Sequence, residues 1–289
     1  MSYIKLCKWY GGKYRMLREL LALIPDDYET WYDLFMGSVA VTLNKSRHGI
    51  EFVNDLDSNI YNLVNALSSE KEGRELVDRL KNITNCENNV KEALRLKKMH
   101  YQGLNDIQRA YYTFIEVSQS FNALRQNWRK GVTQSVYQRE SLWDLDDVYN
   151  RLQGVNVSNL DAIEVIRNVG CDKGAFLFLD PPYNHSLRGK GANKAYQCEM
   201  PFSKQVEMLK ELQGISARAL LCGYCSDNGN DLYDNMLLPY GWRRYKLTQV
   251  LKSCQTGSAK DMATEYVWVN YELPNLAKLY INTATMVCR

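Results

Sequence analysis

Ala175-Phe176-Leu177-Phe178-Leu179 is an unbroken apolar run that leads directly into Asp180-Pro181-Pro182-Tyr183. A run of this length with no polar alternation reads as a strand buried on both faces, which belongs inside a parallel sheet covered by helices. Two consecutive prolines cannot donate to a strand ladder, so the chain must leave the sheet at that point. A carboxylate, a proline carbonyl and an aromatic ring are then left at the carboxyl end of a central strand, where open α/β sheets bind ligands. A Pro-Pro loop with a capping Asp and a half-buried Tyr is the plainer account of the same four residues.

The rest of the chain frames that strand. Lys8-Trp9-Tyr10-Gly11-Gly12-Lys13 precedes Met16, Leu17, Leu20, Leu21 and Ile24 at helical spacing, and a glycine pair before a helix lets backbone amides approach an anion. Thr30 to Phe35 reads as a strand, followed by Met36-Gly37-Ser38 and a helical Val39 to Leu43. Strand, glycine turn and helix make a first crossover, but G-x-G-x-x-G is absent, which argues against a pyrophosphate cofactor. Gly49 to Asp55 reads as the second strand. An acid at that strand's end commonly binds ribose hydroxyls, and a helix cap is the alternative for Asp55, with Asp57 and Ser58 as other candidates for the cap.

From about Ser68 to Asn150 apolar residues recur at helical spacing with almost no strand signal, which predicts a helical insertion. Its exit, Phe121 to Gly131, mixes Asn122, Arg125, Asn127, Arg129 and Lys130 with aromatics, the residue types that read base edges and grip phosphates. The net charge of +3 is modest, but Arg95, Lys97, Lys98, Arg109, Arg125, Arg129, Lys130 and Arg139 cluster against Asp106 and Glu116. Such a cluster suits a polyanion, or else a solvated helical face. Beyond it come a strand near Val155 to Val157, a helix through Ala162 and Ile166, and a loop after Tyr183 carrying Arg188, Lys190 and Lys194. A helix over 203–212, a strand over 217–222 and a terminal hairpin close the chain.

Composition narrows the class. A chain of 289 residues with 45% hydrophobic and 24% charged content suits one large α/β domain with an insertion. No apolar run is long enough to span a bilayer, and the first residues lack a signal-peptide core, so a cytoplasmic location is expected. The eight cysteines are dispersed, with only Cys222 and Cys225 at C-x-x-C spacing, and there are three histidines. Reduced structural thiols and no metal site are expected.

A nucleobase amino group has two N–H donors, which a carboxylate and a carbonyl can hold while an aromatic ring stacks on the base. In residues and order, the chain resembles the Dam-like, Asp-Pro-Pro-Tyr family of DNA adenine-N6 methyltransferases. The resemblance rests on Lys8, Trp9, Gly11, Gly12 and Lys13, then Asp33-Leu34-Phe35-Met36-Gly37, Asp55, a helical insertion, and Asp180-Pro181-Pro182-Tyr183. Leu34 stands where many relatives carry Pro, and Val39 where a second small residue is common.

The resemblance implies a Rossmann-like, mostly parallel seven-stranded sheet with an antiparallel last strand. Residues 1–67 and 151–289 would form the catalytic domain and 68–150 a helical target-recognition insertion. Trp9, Lys13, Asp33, Phe35, Gly37, Asp55 and Asp180 would surround S-adenosyl-L-methionine, which leaves as S-adenosyl-L-homocysteine. Asp180, Pro181 and Tyr183 would hold a flipped adenine, and Asn122, Arg125, Asn127, Arg129, Lys130, Arg188 and Lys190 would contact double-stranded DNA. The implied setting is the nucleoid, with a cognate restriction endonuclease as partner. N4-cytosine or RNA adenine methylation, or an inactive DNA-binding protein on this scaffold, are the rival readings; a nicotinamide dehydrogenase is disfavoured by the missing glycine fingerprint.

Overall fold

The computed structural model describes residues 3–183, 198–225, 231–251, 262–279 and 281. A 3-10 turn leads into helix α1 (Leu17–Leu23), then β1 (Thr30–Asp33), α2 (Ala40–Asn44), β2 (Ile50–Asn54) and α3 (Ser58–Ser68). Five helices follow with no named strand between them: α4 (Glu70–Lys81), α5 (Glu87–Lys98), α6 (Asp106–Ser118), the short α7 (Gln134–Tyr137) and α8 (Leu145–Leu152). The chain then alternates β3 (Asn156–Ser158), α9 (Ala162–Val169), β4 (Ala175–Leu179), α10 (Phe202–Leu212), β5 (Arg218–Tyr224) and α11 (Leu232–Leu237). It ends in β6 (Arg243–Leu251) and β7 (Met262–Val269). Among the described residues, no helix is long and apolar enough to cross a membrane.

The strands form one seven-stranded sheet in the order β3-β2-β1-β4-β5-β7-β6. β4 is parallel to β1 and β5, while β7 is antiparallel to both β5 and β6, as expected for this sheet. The apolar run is the middle strand, and all five residues of β4 are buried. Burying each of its Phe and Leu side chains contributes about 1.5–3 kcal/mol, so Leu177→Ala should cost about 2–5 kcal/mol.

Two compact units share the chain. The first comprises 1–15, 36–47 and 51–159, and the second 16–35, 48–50 and 160–289. In the first, Leu63 and Leu67 of α3, Leu76 and Leu80 of α4, Phe114 and Val117 of α6 and Val148 of α8 make a continuous core. Local signals set the helix starts. Asp57 caps α3 by accepting from the Asn59 N–H, Ser69 caps α4, and Asn105 with Gln108 forms a capping box on α6. In the second unit, Leu177, Leu179, Met208, Leu212, Leu221 and Trp268 pack together, and Trp31 stacks on Phe176 with ring centroids 5.5 Å apart.

Candidate active site

In the second unit the sheet delivers carboxylates to the carboxyl ends of neighbouring strands. Asp33, the last residue of β1, pairs in register with Phe178 and is buried, so it lies at the same end of the sheet as Asp180. The Leu34 N–H still donates to the Phe178 carbonyl at 3.0 Å, and half-buried Phe35 packs on the apolar core behind it. After β4 the prolines end the ladder. Tyr183 turns back into the protein, 8% exposed, and its ring meets Tyr224 edge-on at 4.5 Å. The Tyr183 hydroxyl lies 2.8 Å from Glu265 Oε2 and 3.1 Å from Asp180 Oδ1. Burial first, then the charges of Asp180 and Glu265, hold its pKa well above the usual phenol value, so it stays a protonated donor. Gln205 on α10 donates to the Pro182 carbonyl at 3.1 Å and so ties down the loop that carries Asp180 and Pro181.

In the first unit, the glycine-rich N-terminal motif and the second strand meet. Gly37 has φ +46°, and a Cβ there would fall 2.6 Å from Trp9 Nε1. Only glycine fits both the backbone and the indole at that point. The Gly12 N–H donates to the Trp9 carbonyl at 3.2 Å, and the buried Lys13 ammonium donates to the Gly11 carbonyl at 3.2 Å. Asp55 follows β2 and accepts the Gly37 N–H on Oδ2 and the Asp57 N–H on Oδ1, both at 2.9 Å. Desolvation pushes its carboxyl up to about 6 against those hydrogen bonds. Asp57, not Asp55, is the cap of α3. Val39, where a small residue is common, is fully buried with φ +58°, an outlier for a β-branched side chain. Backbone strain thus sits in the glycine turn beside Gly37.

The insertion's exit folds into a tight turn. Ser120 and Trp128 form an isolated antiparallel bridge, and the Phe121 N–H donates to the Asn127 carbonyl at 2.8 Å. Asn122 and Asn127 at this turn are exposed, as is Lys130 just beyond it, while Arg129 is half-buried and donates to Glu140 at 2.8 Å. Arg125 does not project with them, which corrects the expectation of a side chain reaching for a groove. It is buried, donating through Nε to Glu116 at 2.7 Å and through Nη1 to Asp57 at 2.5 Å.

The wider basic cluster is also less free than its window of sequence implied. Arg95 pairs with Glu92, Lys97 with Glu116, and Arg129 with Glu140, so two of the balancing acids lie just outside that window. Arg188 and Lys190 lie outside the described residues.

Three contributors escaped the sequence reading, as did the bond from Arg125 to Asp57, a residue expected only as a cap. Glu265 sits inside β7, and a lone acid in an apolar strand is the signal that could have found it. Gln205 and Glu140 carry no such signal, because their partners are 23 and 11 to 132 residues away in the chain, and the Arg125–Asp57 contact spans 68. Cys225, Asp231 and Asp234 also lie within 4.8 Å of one another, but Arg244 already donates to Cys225 and Asp234, and Asp231 caps α11.

A mostly parallel sheet thus carries Asp33 and the Asp180-Pro181-Pro182-Tyr183 loop at the carboxyl ends of adjacent strands. The family model of D12 class N6 adenine-specific DNA methyltransferases matches residues 9–246. The chain belongs to that family. A type II methyltransferase of Lactococcus lactis subsp. cremoris, M1.LlaDCHI, is 22% identical over 280 residues, which cover 91% of this chain and 94% of that protein. Among solved structures, precorrin-6y C5,15-methyltransferase of Geobacter metallireducens GS-15 covers 89% of this chain and 86% of its own at 10% identity and a TM-score of 0.37, too loose a superposition to bear on the chemistry.

Proposed function

We propose that this adenine-N6 DNA methyltransferase takes its methyl group from S-adenosylmethionine and acts on an adenine turned out of duplex DNA. The observation that carries the reading is the Asp180–Tyr183 pair at the end of β4, backed by Glu265. When bound, S-adenosylmethionine supplies an electrophilic sulfonium methyl. Asp180 accepts one N6–H and the Pro181 carbonyl the other, which aims the nitrogen lone pair away from the ring. The buried face of Tyr183 offers a surface for the base.

The first unit fits the donor. Each Asp55 oxygen accepts a single backbone N–H and so keeps capacity for a ribose hydroxyl, while the Gly37–Trp9 approach shapes a close turn beside it. Trp9, Lys13, Asp33, Phe35, Gly37, Asp55 and Asp180 are assigned to that ligand. Residues 1–67 and 151–289 are assigned to catalysis and 68–150 to target recognition. Asn122, Asn127, Arg129 and Lys130 are the DNA contacts within the described residues. A restriction endonuclease of matching specificity is the partner such methylation would guard against, and the enzyme works where its DNA lies.

Incubating duplex DNA with S-adenosylmethionine labelled in the methyl group, followed by nucleoside analysis, tests the reading. Label in N6-methyladenine is expected. Label in N4-methylcytosine, or only in RNA, would favour the rival substrates.

A further inference from the structure

The recognition turn does not merely hang from the first unit. A buried side chain, Arg125, pins it there. Asn122, Ala123 and Arg125 all have positive φ, between 51° and 58°, a left-handed conformation that is unfavourable for side chains such as Ala and Arg. Such backbone persists only where its surroundings over-determine it. Arg125 supplies that constraint. Its N–H donates to Ser120 Oγ at 3.1 Å, its Nε to Glu116 and its Nη1 to Asp57. Glu116 is fully buried on α6 and also receives Lys97 and the Tyr101 hydroxyl.

The contact with Asp57 reaches further than the turn. Asp57 caps α3 through one oxygen and is bonded to Arg125 through the other, so its backbone is fixed from both sides. The Asp57 N–H is one of the two donors that hold the Asp55 carboxylate, and Gly37 is the other. A continuous line of hydrogen bonds thus runs from the recognition turn through Arg125 and Asp57 to Asp55 and the glycine turn. The side chain is only 6% exposed, so it cannot reach a base edge without leaving two carboxylates behind.

We propose that Arg125 is a positioning residue for cofactor binding, which sets Asp57 and through it the Asp55 carboxylate, although it lies in the segment that contacts DNA. The inference rests on the assignment of Asp55 to the cofactor. Its signature is an effect on the cofactor in the absence of DNA, which a base-reading arginine would not produce.

Calorimetric titration of the full chain with S-adenosylhomocysteine, without DNA, tests it on Arg125→Lys, Asp57→Asn, their double variant and Asp55→Asn. Lys keeps a cation between Glu116 and Asp57, and Asn keeps the cap on α3, so both singles are built to fold; Arg125→Met, which strands two buried acids, is not relied on. Each single should weaken binding roughly three- to tenfold, and the double should lose no more than the worse single, because both break the same link. Thermal melts identify any variant that is unfolded. Unchanged affinity in both singles, with Asp55→Asn weakened, overturns the inference. Additive losses in the double, as from two independent structural defects, overturn it as well. Unchanged affinity in Asp55→Asn overturns the cofactor assignment on which it rests.

Discussion

The Tyr183 hydroxyl donates to Glu265 Oε2 at 2.8 Å while standing 3.1 Å from Asp180 Oδ1. A phenol has one proton, so it cannot serve both carboxylates at once. The shorter contact places it on Glu265, a residue only 3% exposed on β7. Asp180 Oδ1 then stands beside the phenol without receiving its proton. Register explains how the two meet: Glu265 lies opposite Tyr224, whose ring abuts Tyr183.

Glu265→Ala should therefore slow single-turnover methylation about tenfold or more, the effect of losing a hydrogen bond to a charged group. Glu265→Gln keeps an acceptor for the phenol and should retain most of the rate. Cofactor affinity should be unchanged in both. Wild-type turnover in Glu265→Ala would show that the ring needs no anchor.

Asp180→Ala should abolish methyl transfer and leave cofactor affinity close to normal. A preorganised acceptor aimed at the reacting group contributes several kcal/mol, about a hundredfold or more in rate. Stopped-flow single turnovers set against calorimetry separate the two effects. Near-normal chemistry in this variant would remove Asp180 from the amine.

Asp55 predicts a pH dependence of cofactor binding. Its carboxyl is raised to about 6 in the folded, ligand-free chain because desolvation disfavours the anion. Below that value it carries a proton, and above it the anion accepts ribose hydroxyls more strongly. Affinity should thus rise as pH increases through 6 and be lost as pH falls through it. The same raised pKa means that the folded chain holds this proton more tightly than the unfolded chain, so the group favours the folded state least above 6. Asp55→Asn should flatten the affinity profile. A titration step that survives in that variant belongs to another group.

The sheet was legible because its signals are local. The Ala175–Leu179 run, the prolines after it and the helical spacing of Leu17 and Leu20 each depend on neighbours within a turn or a strand. The order of Trp9, Gly37, Asp55 and Asp180 carried the family for the same reason. What escaped depends on distance in sequence. Glu265 meets Tyr183 across 82 residues, and Arg125 meets Asp57 across 68. An arginine among Asn, Gln and aromatics reads as a groove contact until the fold shows two acids beneath it. The basic window likewise looked free because Glu92 and Glu140 stand just beyond its ends.

The exposed residues at and beside the Ser120–Trp128 turn should divide by role. Asn122 and Asn127 present amides that can pair bidentately with adenine edges, so Ala variants should cost about 1–3 kcal/mol at one base position and relax choice there. Lys130→Ala should instead weaken binding to all sequences and lower the salt slope by about one. Fluorescence anisotropy on cognate and altered duplexes, across a salt series, reads both. Equal losses for all three on every sequence would reduce the turn to an electrostatic clamp.

In a duplex the N6 amine is paired and its lone pair cannot point at a methyl donor, so the base must leave the stack at a cost of a few kcal/mol. Stacking on an aromatic ring returns about 1–3 kcal/mol per base. Tyr183→Phe keeps that face but withdraws the donor from Glu265, so activity should drop yet remain measurable. Tyr183→Ala loses face and donor together and should lose most activity. Placing the target adenine opposite a mismatch lowers the cost of extrusion and should partly rescue Tyr183→Ala, while doing little for Asp180→Ala, whose defect is in the chemistry. A 2-aminopurine at the target should brighten on binding wild-type protein and less so with Tyr183→Ala. Equal brightening and equal activity in the two would mean that the base, if it flips, stacks elsewhere.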